Sequence, residues 1–312
     1  MLLDERAREG HGQLVREVNC ATCDTALRST RLCRALAAVV MTVAASPLLT
    51  AQWINYPTSG VPRTRSGSPD LHAPAPRTID GRPDLSGIWE PERTRPCPPG
   101  GCADMPAGEQ FFDLGWGEPG GLPYQSWAAE LRKERRAQDG KDDLISRCLP
   151  TGVPRMHTIP LLRKIIQVPG LIVLLNEQNA SYRQIFTDGR PLPVDPQPSW
   201  NGYSTASWDG DVLVVQTSGL RDGLWLDRSG SPMTDAARVT ERFHRLDFGT
   251  MMIEFTVDDP KAYTRPWTVR LTHFLVLDTD LIDYICLENE KDVQHLVGAR
   301  PVVGTREVDR AK

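Results

Sequence analysis

The chain of 312 residues lacks several signatures, and each lack removes a class of function. It has no G-x-S-x-G elbow, no phosphate-cradling loop and no G-x-G-x-x-G fingerprint, so serine-hydrolase, nucleotide and dinucleotide readings have no support. It has no H-x-H or H-E-x-x-H pair. His72, His157, His244, His273 and His295 are scattered, so neither a metal nor another cofactor is expected. Basic residues form no stripe interleaved with aromatics, which discounts nucleic acid as a partner. After the first fifty residues, no apolar run approaches the roughly 20 residues a membrane-spanning helix needs. The net charge is −4, and the leader contributes slightly to the positive side of it.

What is present begins with that leader. Arg31 and Arg34 precede an apolar run from Ala35 to Leu49, closed by Thr50-Ala51-Gln52. A basic flank, a short apolar stretch and small residues at the break read as a secretory signal peptide, too short for an anchor. Residues 1–51 are therefore expected to be removed near Ala51, giving a periplasmic or extracellular product with no membrane partner. The polar preface Met1–Thr30 points to a translation start further downstream, which leaves Cys20-Ala-Thr-Cys23 without a role. Of the seven cysteines, four lie beyond the leader. Cys97 and Cys102 flank Pro-Pro-Gly-Gly, which reads as a small stapled loop. That leaves Cys148 to pair with Cys286, with four free thiols as the alternative.

Residues 52–84, rich in Pro, Ser, Thr and Arg without periodicity, read as a linker or a surface-hugging arm. One β domain is expected over 85–300, followed by a tail, 301–312. "LSGIWE" (85–90) reads as a strand. "LPYQSWAAELRKERRAQDG" reads as a helix, with Trp127 and Leu131 four apart and Gly140 at its end. From Leu162 the period becomes two: "RKIIQV" and "LIVLLNE" flank Pro-Gly, "YRQIFTDG" follows, and "YSTASW" and "DVLVVQTS" flank Asp-Gly. "RVTERFHR" and "MMIEFTV" form the next pair, "WTVRLTHFLVL" and "LIDYICLE" the last. Eight or nine consecutive antiparallel strands predict a mainly β protein, an up-and-down meander closing into a lipocalin-like barrel with one short N-terminal helix. A β-sandwich is the alternative. No internal repeat is evident. The proline-built stretch from Asp188 to Trp200 and the connection "GLRDGLWLDRSGSPMTDAA" are long for a meander. Both are expected to cover the barrel mouth as lids or binding loops, or to plug one end of a solid core.

Turn position sets which side chains face inward. Pairing Phe243 with Ile253 puts Val239 opposite Val257 and leaves Glu241 on the apolar face, opposite Phe255. Arg242 with Glu254 and Thr240 with Thr256 then make a solvated ladder. A two-residue turn at Asp278-Thr279 places His273 opposite Tyr284. Glu241, His273 and Tyr284 are thus candidate proton-transfer residues, although a satisfied polar cluster explains the same pattern. Arg183, Trp200, Trp208, Trp225 and Trp267 are candidate ligand-binding residues. The charged run "ENEKDVQH" reads as a solvated chain end.

The phrases "GRPDLSGIW", "RCLPTGVPR", "RQIFTDGRPLP", "RVTERF", "DDPKAYTRPWTV" and "ENEKD" resemble a large group of secreted bacterial β-rich proteins. The resemblance runs from about Gly81 to Gly298. It implies export and one compact β domain, and carries no reaction with it. Similar proteins often have a histidine-containing loop after "LDRSG", where this chain reads Ser231-Pro232-Met233-Thr234. The functional expectation is a secreted barrel acting on a small molecule as a metal-free acid/base enzyme: an isomerase, cyclase, lyase or hydrolase. The alternatives are a carrier of an apolar or aromatic ligand and a structural envelope protein.

Overall fold

Alternation of apolar and polar side chains makes a strand half-buried, and a closed set of such strands leaves no unpaired edge. The computed structural model describes residues 56–92, 113–116, 118, 120–288 and 291. The leader, where a signal peptide is expected, the Cys97–Cys102 loop, most of "ENEKDVQH" and the tail lie outside the described residues. The strands are β1 (Gly87–Pro91), β2 (Arg163–Val168), β3 (Leu171–Asn176), β4 (Ser181–Phe186), β5 (Tyr203–Asp209), β6 (Val212–Ser218), β7 (Leu224–Trp225), β8 (Pro232–Met233), β9 (Arg238–Arg245), β10 (Thr250–Asp258) and β11 (Trp267–Leu275). Nine of them close a barrel in the order β1-β11-β10-β9-β6-β5-β4-β3-β2, while β7 and β8 pair apart. The expected barrel is present, and the sandwich is not formed.

The pairing predicted from alternation holds in β9 and β10. Phe243 faces Ile253, Glu241 faces Phe255 and Val239 faces Val257. The inward residues of β9, β10 and β11 are almost wholly buried, and they pack into one core with Trp89, Leu174, Ile185, Leu213 and Val215. Helix α1 (Ser126–Ala137) forms where predicted, but it buries only Ala128. It docks through polar groups instead. The Arg135 guanidinium lies 4.2 Å above the Trp225 ring and donates to the Gly230 carbonyl.

Three features differ from the sequence reading. First, β4 and β5 run parallel, so the meander is interrupted there. A parallel pair cannot be joined by a tight turn, because the chain must return to the starting end of the barrel before the next strand begins. That return is the proline-rich segment 187–202. It is a crossover, and its length follows from topology. Second, residues 281–288 form no barrel strand. The edge of β11 is taken by β1, with Trp89 opposite Leu275 and Pro91 opposite His273. The chain turns away after Asp278, which has φ +57. Third, the arm does contain a repeat. Residues 62–71 (PRTRSGSPDL) and 76–85 (PRTIDGRPDL) fold into the same small hairpin, with Arg63 bridged to Pro69 and Arg77 to Pro83. In each, the arginine donates to the carbonyl of the glycine four residues on, at 2.8 Å. The second copy clamps the barrel by a bidentate pair from Arg77 to Asp211.

Cys148 and Cys286 form the predicted disulfide, with Cα atoms 5.3 Å apart and a sequence separation of 138. No helix among the described residues is long and apolar enough to cross a membrane.

Candidate functional site

The interior of the barrel is polar at its centre. Strand β9 delivers Glu241, strand β4 delivers Arg183 and strand β11 delivers His273, all by alternation. Their neighbour His157 comes from outside the sheet. The run Thr151–Ile159 is buried without interruption, and its single helical turn, Arg155–His157, puts His157 among the inward residues of β9 and β11. This plug is fixed by a fully buried ion pair, in which Arg155 donates to both carboxylate oxygens of Asp143 at 2.6 and 2.7 Å.

Glu241 is wholly enclosed and receives three charge-assisted or ring hydrogen bonds. Arg183 grips both of its oxygens, Nη1 reaching Oε1 at 2.9 Å and Nη2 reaching Oε2 more closely. The hydroxyls of Ser204 and Thr217 accept from the rest of that guanidinium. His157 Nε2 lies 2.7 Å from Glu241 Oε1. Burial pushes the Glu241 carboxyl up, but the Arg183 charge and these hydrogen bonds outweigh it and hold the group at about 2. Glu241 is therefore ionised, and the ring nitrogen facing it must be the donor. His157 thus carries its proton on Nε2, with Nδ1 bare. Burial is the main influence on this ring and exceeds the opposing pull of Glu241, leaving His157 neutral with a pKa of about 4.

The second histidine has the opposite tautomer. Arg163 Nη1 donates to His273 Nε2 at 2.7 Å and to the His157 carbonyl at 3.0 Å, while Nη2 donates to the Ile159 carbonyl at 3.1 Å. Guanidinium can only donate, so His273 Nε2 accepts and its proton sits on Nδ1. Burial first, then the charge of Arg163, keeps His273 neutral. The two rings meet edge to face, with centroids 6.0 Å apart. His157 Nδ1, His273 Nδ1 and Arg163 Nε are buried without a hydrogen-bond partner of ordinary geometry. Buried polar atoms are satisfied in the great majority of cases, so three such nitrogens on three touching residues mark a place with unused chemical capacity.

Of the predicted proton-transfer residues, Glu241 and His273 come together, bridged by His157. Tyr284 does not join them. It lies 46% exposed on the segment that left the sheet, where it pairs with Gln178. Alternation gives no signal for His157, because its neighbours in sequence form no strand and a buried turn has no period of two. Arg183 faces the interior as a partner of Glu241. Trp225 and Trp267 are buried as core, the latter edge-on to Phe255 and Tyr263. Trp208 is partly buried beneath Arg82. Trp200, also partly buried, is covered by Arg221 at 4.7 Å. The proline segment forms one wall of an open depression of about 250 Å³ with Ser218–Leu220 and Asp235–Arg238. Asn201, at the end of the same crossover, lines the crevice beside Arg163.

The space that touches the cluster is a crevice floored by Arg163, with inner room for about one water molecule, about 10 Å³. Met156 and Ile159, on either side of His157, line it. No three His, Cys, Asp or Glu residues gather as a metal site among the described residues. No family model matches the chain, and neither a curated protein nor a solved structure is detectably similar to it.

Proposed function

We propose that this barrel protein is an exported acid/base catalyst acting on a small organic molecule, with His157 as the proton-transferring group. The observation that carries the reading is the polarised His157: Glu241 holds Nε2–H, and Nδ1 is bare. In this arrangement Nδ1 takes a proton from a carbon or oxygen of the substrate. The Glu241 carboxylate stabilises the resulting imidazolium, and the same nitrogen returns the proton to the product. Glu241, the base expected from sequence, acts as a positioning residue, since Arg183 and His157 occupy its oxygens. His273 Nδ1–H, which leans on the Leu271 backbone, is the second ring donor of the cluster. Because burial is what depresses the His157 pKa, a polar substrate beside the ring moves it back toward neutrality. The Cys148–Cys286 bridge suits an oxidising compartment, as the resemblance to secreted proteins implies.

A second reading, a structural envelope protein, draws support from the plug. The run Thr151–Ile159 is buried throughout and sets His157 against inward barrel residues, and the crevice admits about one water.

Proton exchange separates the two. The protein is incubated in D₂O with a panel of small carbonyl compounds and organic acids, and loss of C–H signals is followed by ¹H NMR. Catalysed exchange is expected for at least one compound, reduced about 10²-fold or more in a folded His157→Gln variant. Exchange unaffected by that substitution, or none across the panel, favours the structural reading.

A further inference from the structure

We infer that the crevice beside Arg163 is a carboxylate-binding site, and hence that the substrate of the proposed reaction is an organic acid. The inference rests on that reaction only for its second half. The first half follows from charge. Two of the buried arginines in the interior have a carboxylate partner: Arg155 with Asp143, and Arg183 with Glu241. Arg163, 1% exposed, has none among the described residues. Its hydrogen bonds go to two backbone carbonyls and a neutral ring, and its Nε is unpartnered. Burial alone acts on its pKa, lowering it to about 9. It therefore stays charged at neutral pH without a counter-charge, a costly state that an incoming anion relieves.

The crevice suits that anion. Its polar lining is Arg163, Thr151, Asn176, Gln178, Ser181 and Asn201, and no acidic side chain lines it. Thr151 Oγ1 donates to the Gln178 amide oxygen at 3.3 Å, which leaves the Gln178 NH₂ group as a second donor beside the guanidinium. The two hydroxyls are committed, Thr151 to the Gln178 side chain and Ser181 to the Gln178 carbonyl at 2.8 Å. A cation with amide donors and no acid is a composition that recognises a carboxylate. The inner volume, about that of one water, takes a carboxylate oxygen, and the rest of the molecule is directed outward. Arg163 also touches His273 Nε2 and the His157 carbonyl. A carboxylate held there is linked to His273 Nε2 and the His157 carbonyl through the Arg163 guanidinium.

The probes are ¹³C-labelled formate and acetate, titrated at constant ionic strength against chloride, with acetamide as the neutral analogue of the same shape. Saturable broadening of the ¹³C signal and a saturable rise in thermal midpoint are expected for both acids, with acetamide binding at least tenfold more weakly. Arg163→Met should abolish the effect. Asn201→Leu, at the rim, should weaken it at least tenfold while leaving Arg163 in place, and it decides the matter if Arg163→Met does not fold. Equal behaviour of acetate, acetamide and chloride, or unchanged acetate binding in Asn201→Leu, overturns the inference. Acetate binding without any C–H exchange keeps the site and removes the reaction. Exchange confined to neutral compounds keeps the reaction and overturns the assignment of its substrate as an organic acid.

Discussion

A carboxylate between Val239 and Phe243 on an alternating strand has nowhere to point but inward, and burying it bare costs more than the fold can supply. Glu241 therefore had to find a cation, and Arg183, placed inward by the same alternation in β4, provides it. Removing one member of such a pair strands the other. Glu241→Gln is expected to destabilise the protein by about 3–5 kcal/mol, read as a shift in the urea unfolding midpoint. A change below about 1 kcal/mol would mean that the pair is not formed. The histidines set the pH dependence. His157 titrates at about 4 in the folded chain against 6.5 when free, so between those values the unfolded chain binds a proton that the folded one does not. Stability should be level above pH 6.5 and fall from there toward pH 4, by about 3 kcal/mol from His157 alone. His273 adds to the fall in the same direction. His157→Gln should flatten this slope, and an unchanged slope in thermal melts would show that the ring is not buried neutral.

At the scale of elements, the strands and the β9–β10 pairing were legible because a one-residue slip would turn every apolar side chain outward. The crossover was not. Alternation marks a strand but carries no sign of its direction, so "YRQIFTDG" and "YSTASW" looked antiparallel when they are parallel. The strand expected at "LIDYICLE" failed for a related reason: Ile282 and Cys286 alternate well enough, but the place beside β11 belongs to β1, whose Trp89 is completely buried. The buried turn carrying His157 had no periodic signal at all, so the site was half visible. The crossover itself is testable where it meets β5. Gly202 has φ +62, and a Cβ there would lie 2.6 Å from the Ser218 carbonyl oxygen. Gly202→Ala should lower stability by about 1–3 kcal/mol in chemical denaturation. A neutral result would place the end of the crossover elsewhere.

Across the whole molecule, the disulfide ties the plug to the segment that follows the barrel. Asn179 reinforces this link, donating to the Cys148 carbonyl and accepting from the Cys286 amide. A closure of 138 residues is worth up to about 5 kcal/mol in the chain-entropy model. Reduction should therefore lower the thermal midpoint markedly, and non-reducing peptide maps should recover the Cys148–Cys286 pair. Equal melting of oxidised and reduced protein would show that the bridge constrains nothing. The plug that this bridge anchors holds His157 against Glu241, on which the proposed chemistry depends. The most direct test is a long-range ¹H–¹⁵N correlation spectrum of the histidine rings across pH. His157 is expected to carry its proton on Nε2, with a bare Nδ1, and to stay neutral until pH approaches about 4. A His157 protonated on Nδ1, or one titrating near the ordinary 6.5, would contradict it.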